Sequence, residues 1–205
     1  MSKLSRSIQK RFLKLRGKGP GWFLRGLKGV IHVGANTGQE RHQYAEHALD
    51  VLWVEPIESV FAELVANIAP LPRQTAVRAL LTDKSGEKIT LNIANNNGAS
   101  SSILQLKQHK DIWPHIHYVE KVEMVGETLP DLLARSGHSV HNYDGIILDT
   151  QGSELMILRG AASLLSRFRV IQAEVADFES YEGCCTVSEM DTFLRDAGFF
   201  EAHRV

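Results

Sequence analysis

The stretch VIHVGANTG, residues 30–38, decides how this chain folds. An apolar run that ends in a glycine indicates a buried strand followed at once by a tight turn. Further along the chain, apolar runs alternate with segments whose apolar residues recur at helical spacing. Alternation of this kind predicts an α/β fold with a mostly parallel sheet and helices on both of its faces.

The individual elements follow from the same patterns. Strands are predicted over 28–33, 51–54, 76–81, 89–93, 145–148 and 170–175, with a last strand from 199. Helices are predicted over 38–48, 56–69, 128–136, 153–165 and 186–197. Two of these helices carry the pattern of a capping box, Thr37 with Glu40 and Thr186 with Glu189. The segment 95–127 is the least regular, and we interpret it as a cover over the site or as an insertion.

The composition indicates a single globular domain with a short appendage. The chain has 205 residues, of which 43% are apolar and 23% charged. No apolar run approaches the roughly 20 residues that would span a bilayer. The two cysteines, Cys184 and Cys185, are adjacent and therefore cannot form a disulfide framework. We predict a reducing, cytoplasmic environment and packing roles for both.

The first 28 residues differ from the rest in charge. They contain nine Lys or Arg, and the first acid is Glu40, so the remainder carries 14 cations and 24 acids, a formal charge of −10. We therefore divide the chain into a basic N-terminal helix, 1–28, and a main domain, 29–205. One helical face of that segment is apolar, formed by Leu4, Ile8, Phe12 and Leu15.

Several roles for this basic helix remain open. Its apolar face could pack on its own domain, or residues 1–18 could bind an anionic membrane surface or an acidic partner. A disordered leader and a helix that binds a partner are further possibilities. Nucleic acid is disfavoured, because the acidic main domain would repel phosphates.

The turn after the first strand is the first candidate site, because open α/β sheets bind ligands beyond the carboxyl ends of their strands. Gly34 permits a tight turn and a close approach of a ligand to the backbone. The G-x-x-x-G pattern differs from the G-x-G-x-x-G of dinucleotide binders, because Asn36 replaces the glycine that would contact a pyrophosphate. No Gly-Lys-Ser/Thr follows, so this is not a Walker loop. A purely structural turn is the alternative reading.

Glu55 strengthens the case for a ligand site. It ends the second predicted strand, 21 residues after Gly34, and in this topology its carboxylate faces the glycine turn. A carboxylate in that place can accept hydrogen bonds from both hydroxyls of a ribose. The alternative is an acid favoured by the dipole of the following helix. A nucleoside ligand without a bridging diphosphate suggests S-adenosylmethionine.

Six stretches, taken together and in this order, carry a family resemblance. They are VIHVGANTGQE (30–40), VEP (54–56), ALLTDKSGE (79–87), GASSSIL (98–104), ETLPDLL (127–133) and LDTQGSELMILRGA (148–161). In these stretches the chain resembles the FkbM type of class I S-adenosylmethionine-dependent methyltransferases, over about residues 29–199. The resemblance implies a Rossmann-like sandwich and methyl transfer, usually to a hydroxyl oxygen of a sugar, glycolipid, polyketide or small metabolite.

The resemblance also implies roles for individual residues. The turn would hold the methionine part of the cofactor, Glu55 the ribose, and the loop after Leu148 would face the sulfonium and the acceptor. The implied cofactor-binding residues are His32, Gly34, Ala35, Asn36, Thr37, Gly38, Glu55, Pro56, Ile57, Leu80, Asp83, Ser101, Ser102, Thr150 and Gln151.

The chain departs from the family pattern in three places. His32 stands where the family usually has an acid that helps hold the cofactor's ammonium group, and a neutral histidine contributes no negative charge. Gln151 stands where Glu is common. The C-terminal hairpin that normally completes the fold looks truncated, which predicts an open sheet edge and favours pairing with a second copy of the chain.

Methyl transfer to an aliphatic hydroxyl requires a base, and two acids are candidates for that role. Asp149, at the end of a predicted strand, is the first candidate for base or acceptor anchor, and Glu174 is the second. We interpret Glu154 as a structural or capping acid. His115 and His117 could bind a metal with Asp149, but this pattern is weak, and no metal is predicted.

Two other functional classes stay open from the sequence. A nicotinamide-dependent oxidoreductase would use the same sheet, although Asn36 argues against it. A methyltransferase fold that has lost catalysis and acts as an adaptor is the stronger alternative, given His32 and Gln151. The sequence does not specify the acceptor beyond a small molecule or glycan.

Overall fold

A computed structural model describes residues 21–204 of the chain. Residues 1–20 of the predicted basic helix 1–28, and with them the predicted contact segment 1–18, lie outside the described residues, whereas 21–28 contain only a short 3₁₀ turn. From Leu24 onward the chain belongs to the packed domain, because Leu24 and Leu27 are buried against Val30 and Val51. No helix among the described residues is long and apolar enough to cross a bilayer.

Strands and helices alternate along these residues. The strands are β1 Gly29–Val33, β2 Asp50–Glu55, β3 Gln74–Arg78, β4 Leu80–Leu81, β5 Lys88–Ala94, β6 Tyr118–Glu127, β7 Gly145–Leu148 and β8 Val170–Ala173. The α-helices are α1 Arg41–Glu46, α2 Glu58–Ile68, α3 His109–Ile112, α4 Leu129–Ser136, α5 Glu154–Gly160 and α6 Val187–Asp196. Short 3₁₀ turns cover Trp22–Leu24, Val140–Asn142 and Ala162–Arg167.

The central sheet has five strands in the order β3-β2-β1-β7-β8, and all of its pairs are parallel. Every residue of β1 is buried, as expected for a strand covered on both faces. The chain moves outward from β1 through β2 and β3 on one side and reaches β7 and β8 on the other. The order therefore reverses beside β1, which is where α/β sheets of this type bind ligands.

The core lies on both faces of this sheet. On one face Ile31 and Leu52 pack with Leu132, Leu155 and Leu158 from α4 and α5. On the other face the core is formed by Val30, Tyr44, Val51, Trp53 and Leu64. Successive residues of β1 and β2 thus enter opposite layers, which confirms the predicted parallel sheet with helices on both faces.

A smaller sheet of order β4-β6-β5 lies beside the first, with β5 and β6 antiparallel. The predicted strand 76–81 was wrong as one element, because β3 ends at Arg78 and β4 pairs with β6 instead. The prediction of an irregular segment up to residue 127 was also wrong, because β6 is a ten-residue strand. Half of its residues are exposed, Val119 and Val125 included, and only Gly126 is buried, so no apolar run marks it.

Several helix boundaries differ from the predictions. The capping box at Thr37 is wrong: α1 begins at Arg41 with no side-chain cap, and Asn36 Oδ1 accepts the Thr37 amide instead. The box at Thr186 and Glu189 is confirmed. The predicted helix 153–165 is α5 followed by a 3₁₀ turn.

The predicted last strand is wrong, since 199–204 pair with no strand. Arg204 instead forms ion pairs with Asp191 of α6 and with Glu201, which hold the end of the described chain beside α6. In the part of the chain that the structure describes, β8 is an edge of the central sheet. Pairing of this edge with a second copy stays a prediction.

Candidate active site

A cleft of about 280 Å³ lies at the carboxyl edge of the central sheet, close to the lower end of the ~300–1,000 Å³ usual for small-molecule sites. Its floor is formed by the residues that directly follow β1, β2 and β7. The dipeptide β4 and the loop 98–103 complete the wall. The cleft therefore opens beside the reversal of strand order, where the sequence predicted a ligand site.

The glycine turn after β1 has no free backbone donors. The amides of Gly34 and Ala35 donate to Val54 O, and the amide of Asn36 donates to Glu55 Oε2 at 2.9 Å. The two following amides, of residues 37 and 38, donate to Asn36 Oδ1 and to the Ala35 carbonyl. A loop that cradles phosphate presents free N–H groups to the ligand. This turn is therefore unsuited to hold a diphosphate.

Glu55 is buried at the end of β2, with 4% of its surface exposed. One carboxylate oxygen accepts the Asn36 amide and the other accepts the Ile57 amide, both at 2.9 Å. Burial raises the pKa of Glu55 to about 7, although both amides oppose the shift. Each carboxylate oxygen keeps a second lone pair. The side chain is thus held rigidly against the glycine turn with acceptor capacity left for two hydroxyls.

Asp149 follows β7 and belongs to a chain of hydrogen bonds. Gln151 Nε2 donates to Asp149 Oδ1 at 2.7 Å, and the Tyr181 hydroxyl donates to Gln151 Oε1 at 2.5 Å. Gln151 has a positive φ of 57°, a conformation uncommon for residues other than glycine. Tyr181 thereby fixes the orientation of the Gln151 amide, and that amide fixes one oxygen of Asp149.

Glu174 lies next to Asp149 because β7 and β8 are neighbours. It directly follows β8, and its backbone amide donates to Leu148 O at 3.0 Å. The charge of Asp149, together with burial and a side-chain hydrogen bond between the two carboxyls, raises the pKa of Glu174. The structure thus brings the two predicted catalytic acids together, although Glu174 is exposed and outside the lining of the cleft.

Glu154 is a structural acid. It is 1% exposed, and its carboxylate accepts the amides of Thr150 and Gly152 at 2.9–3.1 Å. It also accepts the Thr150 hydroxyl at 3.2 Å. Burial raises the pKa of Glu154, and these bonds oppose the shift. Glu154 therefore holds the loop that carries Asp149 in shape, as the sequence indicated.

The serine-bearing loop, 98–103, forms the opposite wall of the cleft and is hydrogen bonded to the loop that follows β7. Ser102 Oγ donates to Gln151 O at 2.7 Å, and Ser101 Oγ accepts the amide of Ala94 at 3.0 Å. Both serines line the cleft. The bond from Ser102 fixes the width of the cleft at this point.

Most residues assigned from the sequence meet in the cleft. Its lining includes His32, Gly34, Ala35, Asn36, Glu55, Pro56, Ile57, Leu80, Ser101, Ser102, Asp149, Thr150 and Gln151. Thr37, Gly38 and Asp83 are outside the lining. The carbonyl of Thr37 accepts the Asn67 side chain, and Gly38 faces Leu64 of α2. Asp83 lies in an exposed turn after β4, beside Gly160.

His32 is an uncharged core residue that reaches the cleft. Its ring stacks on Trp53 with centroids 4.9 Å apart, and its Nδ1 is hydrogen bonded to the Tyr44 hydroxyl at 2.9 Å. Burial lowers the pKa of His32 to about 3. The position where the resemblance implies an acid therefore carries no charge near pH 7.

Glu40 is a cleft residue that the sequence reasoning missed, because the capping pattern gave it another role. Its side chain lines the cleft, with Oε2 4.0 Å from His32 Nδ1. Burial raises the pKa of Glu40, its own backbone amide lowers it, and the charge of Asp149 raises it further. The only sequence signal was the position of Glu40 two residues after Gly38. Because α1 begins directly after residue 40, the Glu40 side chain turns back towards the glycine turn.

The described residues that line the cleft carry negative charge and no positive charge. Of the described residues that line it, Glu40, Glu55 and Asp149 are acidic and none is Lys or Arg. Such a lining suits a ligand that carries positive charge and no phosphate. His115 and His117 do not join Asp149: within 21–204, no group of three or more His, Cys, Asp or Glu side chains is placed to hold a metal ion.

Comparisons with known proteins agree with this architecture. A family model described as "Methyltransferase FkbM domain" matches residues 32–200. The chain is also 25% identical over 162 residues to the 2-O-methyltransferase NoeI of Sinorhizobium fredii (strain NBRC 101917 / NGR234). That similarity covers 75% of this chain and 65% of the relative, so the chain spans less than two thirds of the relative's length.

Proposed function

This chain belongs to the FkbM methyltransferase family, and from that premise we propose that it transfers a methyl group from S-adenosylmethionine to a hydroxyl oxygen of a sugar, glycolipid or other small metabolite. The observation that carries the proposal is the contact between Glu55 and the amide of Asn36, which fixes a ribose acceptor against the glycine turn. The similarity to a 2-O-methyltransferase supports oxygen as the accepting atom.

The cleft fits this methyl donor better than a dinucleotide. The donor carries a positive sulfonium and a ribose but no phosphate, which matches an acidic lining and a turn without free amides. A nicotinamide dinucleotide would bring its diphosphate to the same turn, where no N–H group is available and carboxylates would repel it. The same features argue against an oxidoreductase.

Each part of the donor has candidate partners in the cleft. The turn from Gly34 to Asn36 would hold the methionine part, and Glu55 would accept hydrogen bonds from the ribose hydroxyls. Ile57 and Leu80 offer apolar surface for the adenine. Asp149 lies on the far side of β1 from Glu55, where the reacting end of the donor would come to lie.

The reaction requires one proton to be removed from the acceptor. The bound donor supplies a methyl group that its sulfonium already activates, so the chain has chiefly to position the reactants. We assign the proton to Asp149: as the hydroxyl oxygen forms its bond to carbon and the carbon–sulfur bond breaks, the hydroxyl proton passes to the carboxylate. Gln151 donates to Asp149 Oδ1 at 2.7 Å, so the orientation of the carboxylate is fixed before the transfer.

Calorimetric titration with S-adenosylmethionine tests the proposal, with NAD as the comparison ligand. We expect binding of the former alone. Glu55→Gln should weaken it by about 5- to 150-fold, because an amide NH₂ replaces one carboxylate oxygen and one buried ribose hydroxyl loses its acceptor, a loss of about 1–3 kcal/mol. Glu58→Gln is the matched control, since Glu58 lies three residues away and is 80% exposed. A folded protein that binds no S-adenosylmethionine would leave the adaptor interpretation in place.

A further inference from the structure

We propose that Glu40 binds the ammonium group at the amino-acid end of the methyl donor. The inference rests on the proposed function and assigns a charge partner that His32, being buried and uncharged, cannot supply. Glu40 immediately precedes α1, and its side chain lines the same cleft as the glycine turn that would hold the methionine part. The chemistry recognised is a primary ammonium group attached to an adenosyl thioether or sulfonium.

The other acids of the cleft already have partners. Both oxygens of Glu55 accept backbone amides, and Glu55 lies at the ribose side. Asp149 accepts the Gln151 amide and shares a hydrogen bond with Glu174. Each of these carboxylates is thus held by neutral donors from the chain and is committed to one orientation.

Glu40 differs from them because, among the described residues, its carboxylate accepts no hydrogen bond from another residue and is bonded only to its own backbone amide. Among the described residues its ion-pair neighbour is His32, at 4.0 Å, and that ring is neutral because burial lowers its pKa to about 3. Its side chain is 42% exposed, so it remains accessible from the cleft. A charged donor forms a stronger hydrogen bond to a carboxylate than a neutral donor does, and the Glu40 carboxylate still has its acceptor positions open to such a donor. Glu40 is therefore the acid that an incoming ammonium group would stabilise most.

The surroundings of His32 explain why the carboxylate lies at residue 40, just before α1, and not at residue 32 in β1. The ring of His32 is enclosed by Trp53 and Tyr44, with 5% of the residue exposed. An ionised acid in that enclosure would have no cationic partner and would carry a large desolvation cost. Placed at residue 40 instead, a carboxylate reaches the cleft while part of it stays hydrated.

The test compares three ligands on wild type and Glu40→Gln by calorimetry. S-adenosylmethionine and S-adenosylhomocysteine both carry the ammonium group, whereas 5′-methylthioadenosine lacks the amino-acid end. We expect Glu40→Gln to weaken the first two by about tenfold or more, as for a charge-assisted hydrogen bond, and to leave the third unchanged. Glu46→Gln, on the exposed side of α1, is the matched control and should change none.

Each outcome decides the matter. Equal affinity of wild type and Glu40→Gln for S-adenosylmethionine overturns the assignment and leaves the proposed function intact. Equal weakening of all three ligands also overturns it, because Glu40 would then act on the shape of the turn and not on the ammonium group. If wild type binds none of the ligands, the proposed function and this assignment fail together, a result distinct from the other two. Melting temperatures of both variants within about 2 °C of wild type establish that they fold.

Discussion

A β-carbon at Gly34 would overlap the backbone carbonyl oxygen of Asp149, so no side chain can be placed there. The turn after β1 and the loop after β7 are therefore in direct backbone contact. The place where the methionine part would bind and the loop that carries the proposed base cannot shift independently of each other.

Gly34→Ala should consequently destabilise the protein and disorganise the cleft. Gly34 has φ +78°, and Gly137 has φ +71° with no atom within 4 Å of its missing β-carbon. Both alanines incur the cost of a left-handed backbone, roughly 1–2 kcal/mol, but only Gly34→Ala adds a clash. Urea unfolding should show a clearly larger loss for Gly34→Ala than for Gly137→Ala. Equal losses would mean that the contact with Asp149 relaxes freely.

The burial of His32 should make the free energy of unfolding depend on pH. Its pKa is about 3 in the folded protein and ordinarily near 6.5, so the native state disfavours its protonated form. The stability that it contributes is fully present above pH 6.5 and is lost as pH falls towards 3, by about 2 kcal/mol at pH 5. The raised pKa values of Glu55 and Glu174 act in the opposite direction in both proteins, so between pH 7.5 and pH 5 denaturant titrations should show about 2 kcal/mol more loss of unfolding free energy in wild type than in His32→Gln.

The exposed His141 supplies the matched control, because His141→Gln should keep the wild-type pH dependence. If His32→Gln and wild type lose the same free energy of unfolding between these two pH values, the enclosure of His32 has been misjudged.

The two capping patterns should respond differently to alanine. Thr186 Oγ1 accepts the Glu189 amide and the Glu189 carboxylate accepts the Thr186 amide, which stabilises a helix that buries Met190. Thr186→Ala should therefore cost about 1 kcal/mol of unfolding free energy. Thr37→Ala has the same sequence context but no such bond, and a loss below about 0.5 kcal/mol is expected in thermal unfolding. A larger loss at Thr37 would reveal a side-chain role absent from this structure.

The hydrogen-bond chain from Tyr181 through Gln151 should behave as a unit. Tyr181→Phe leaves Gln151 Oε1 without its donor, and Gln151→Ala leaves the Tyr181 hydroxyl without its acceptor. Each single change should cost about 1–3 kcal/mol, and the double variant should cost less than the sum of the two. Additive losses in a double-mutant cycle would show that the two groups do not cooperate.

The pairing of Asp149 and Glu174 has a spectroscopic consequence. The negative charge of Asp149 is the main reason for the raised pKa of Glu174, so Asp149→Asn should lower that pKa. An NMR titration of the Glu174 carboxyl in both proteins measures the change. If the Glu174 titration is unchanged, the two carboxyl groups do not interact, and Glu174 takes no part in the proposed proton transfer.

The central sheet and the side of the cleft that Glu55 forms were predictable from local patterns. β1, β2 and β7 are apolar runs because both of their faces are covered, and Glu55 was found because the end of a neighbouring strand places it against Gly34. β6 could not be found in this way. Its pairing with β5 is made by backbone bonds, and its residues, of which half are exposed, leave no apolar pattern in the sequence.

The position of Glu40 in the cleft was hidden for a related reason. The patterns at Thr37 and at Thr186 are equally good capping boxes in the sequence, but Asn36 Oδ1 takes the Thr37 amide and the turn continues to Arg41. Long-range contacts of the glycine turn with β2 and β7 set that geometry. Local propensity contains no information about such contacts, so the capping pattern at Thr37 assigned Glu40 to the helix end and not to the cleft.

Glu55 ends β2 and Asp149 follows β7, with β1 between them, so the two carboxylates stand on strands about 10 Å apart across the sheet. Under the proposed function, recognition of the nucleoside and handling of the acceptor proton thus belong to separate strand–loop units. A lineage descended from this scaffold would be able to exchange its acceptor by altering the loops after β7 and β8, while inheritance of the donor pocket on β1 and β2 continued undisturbed.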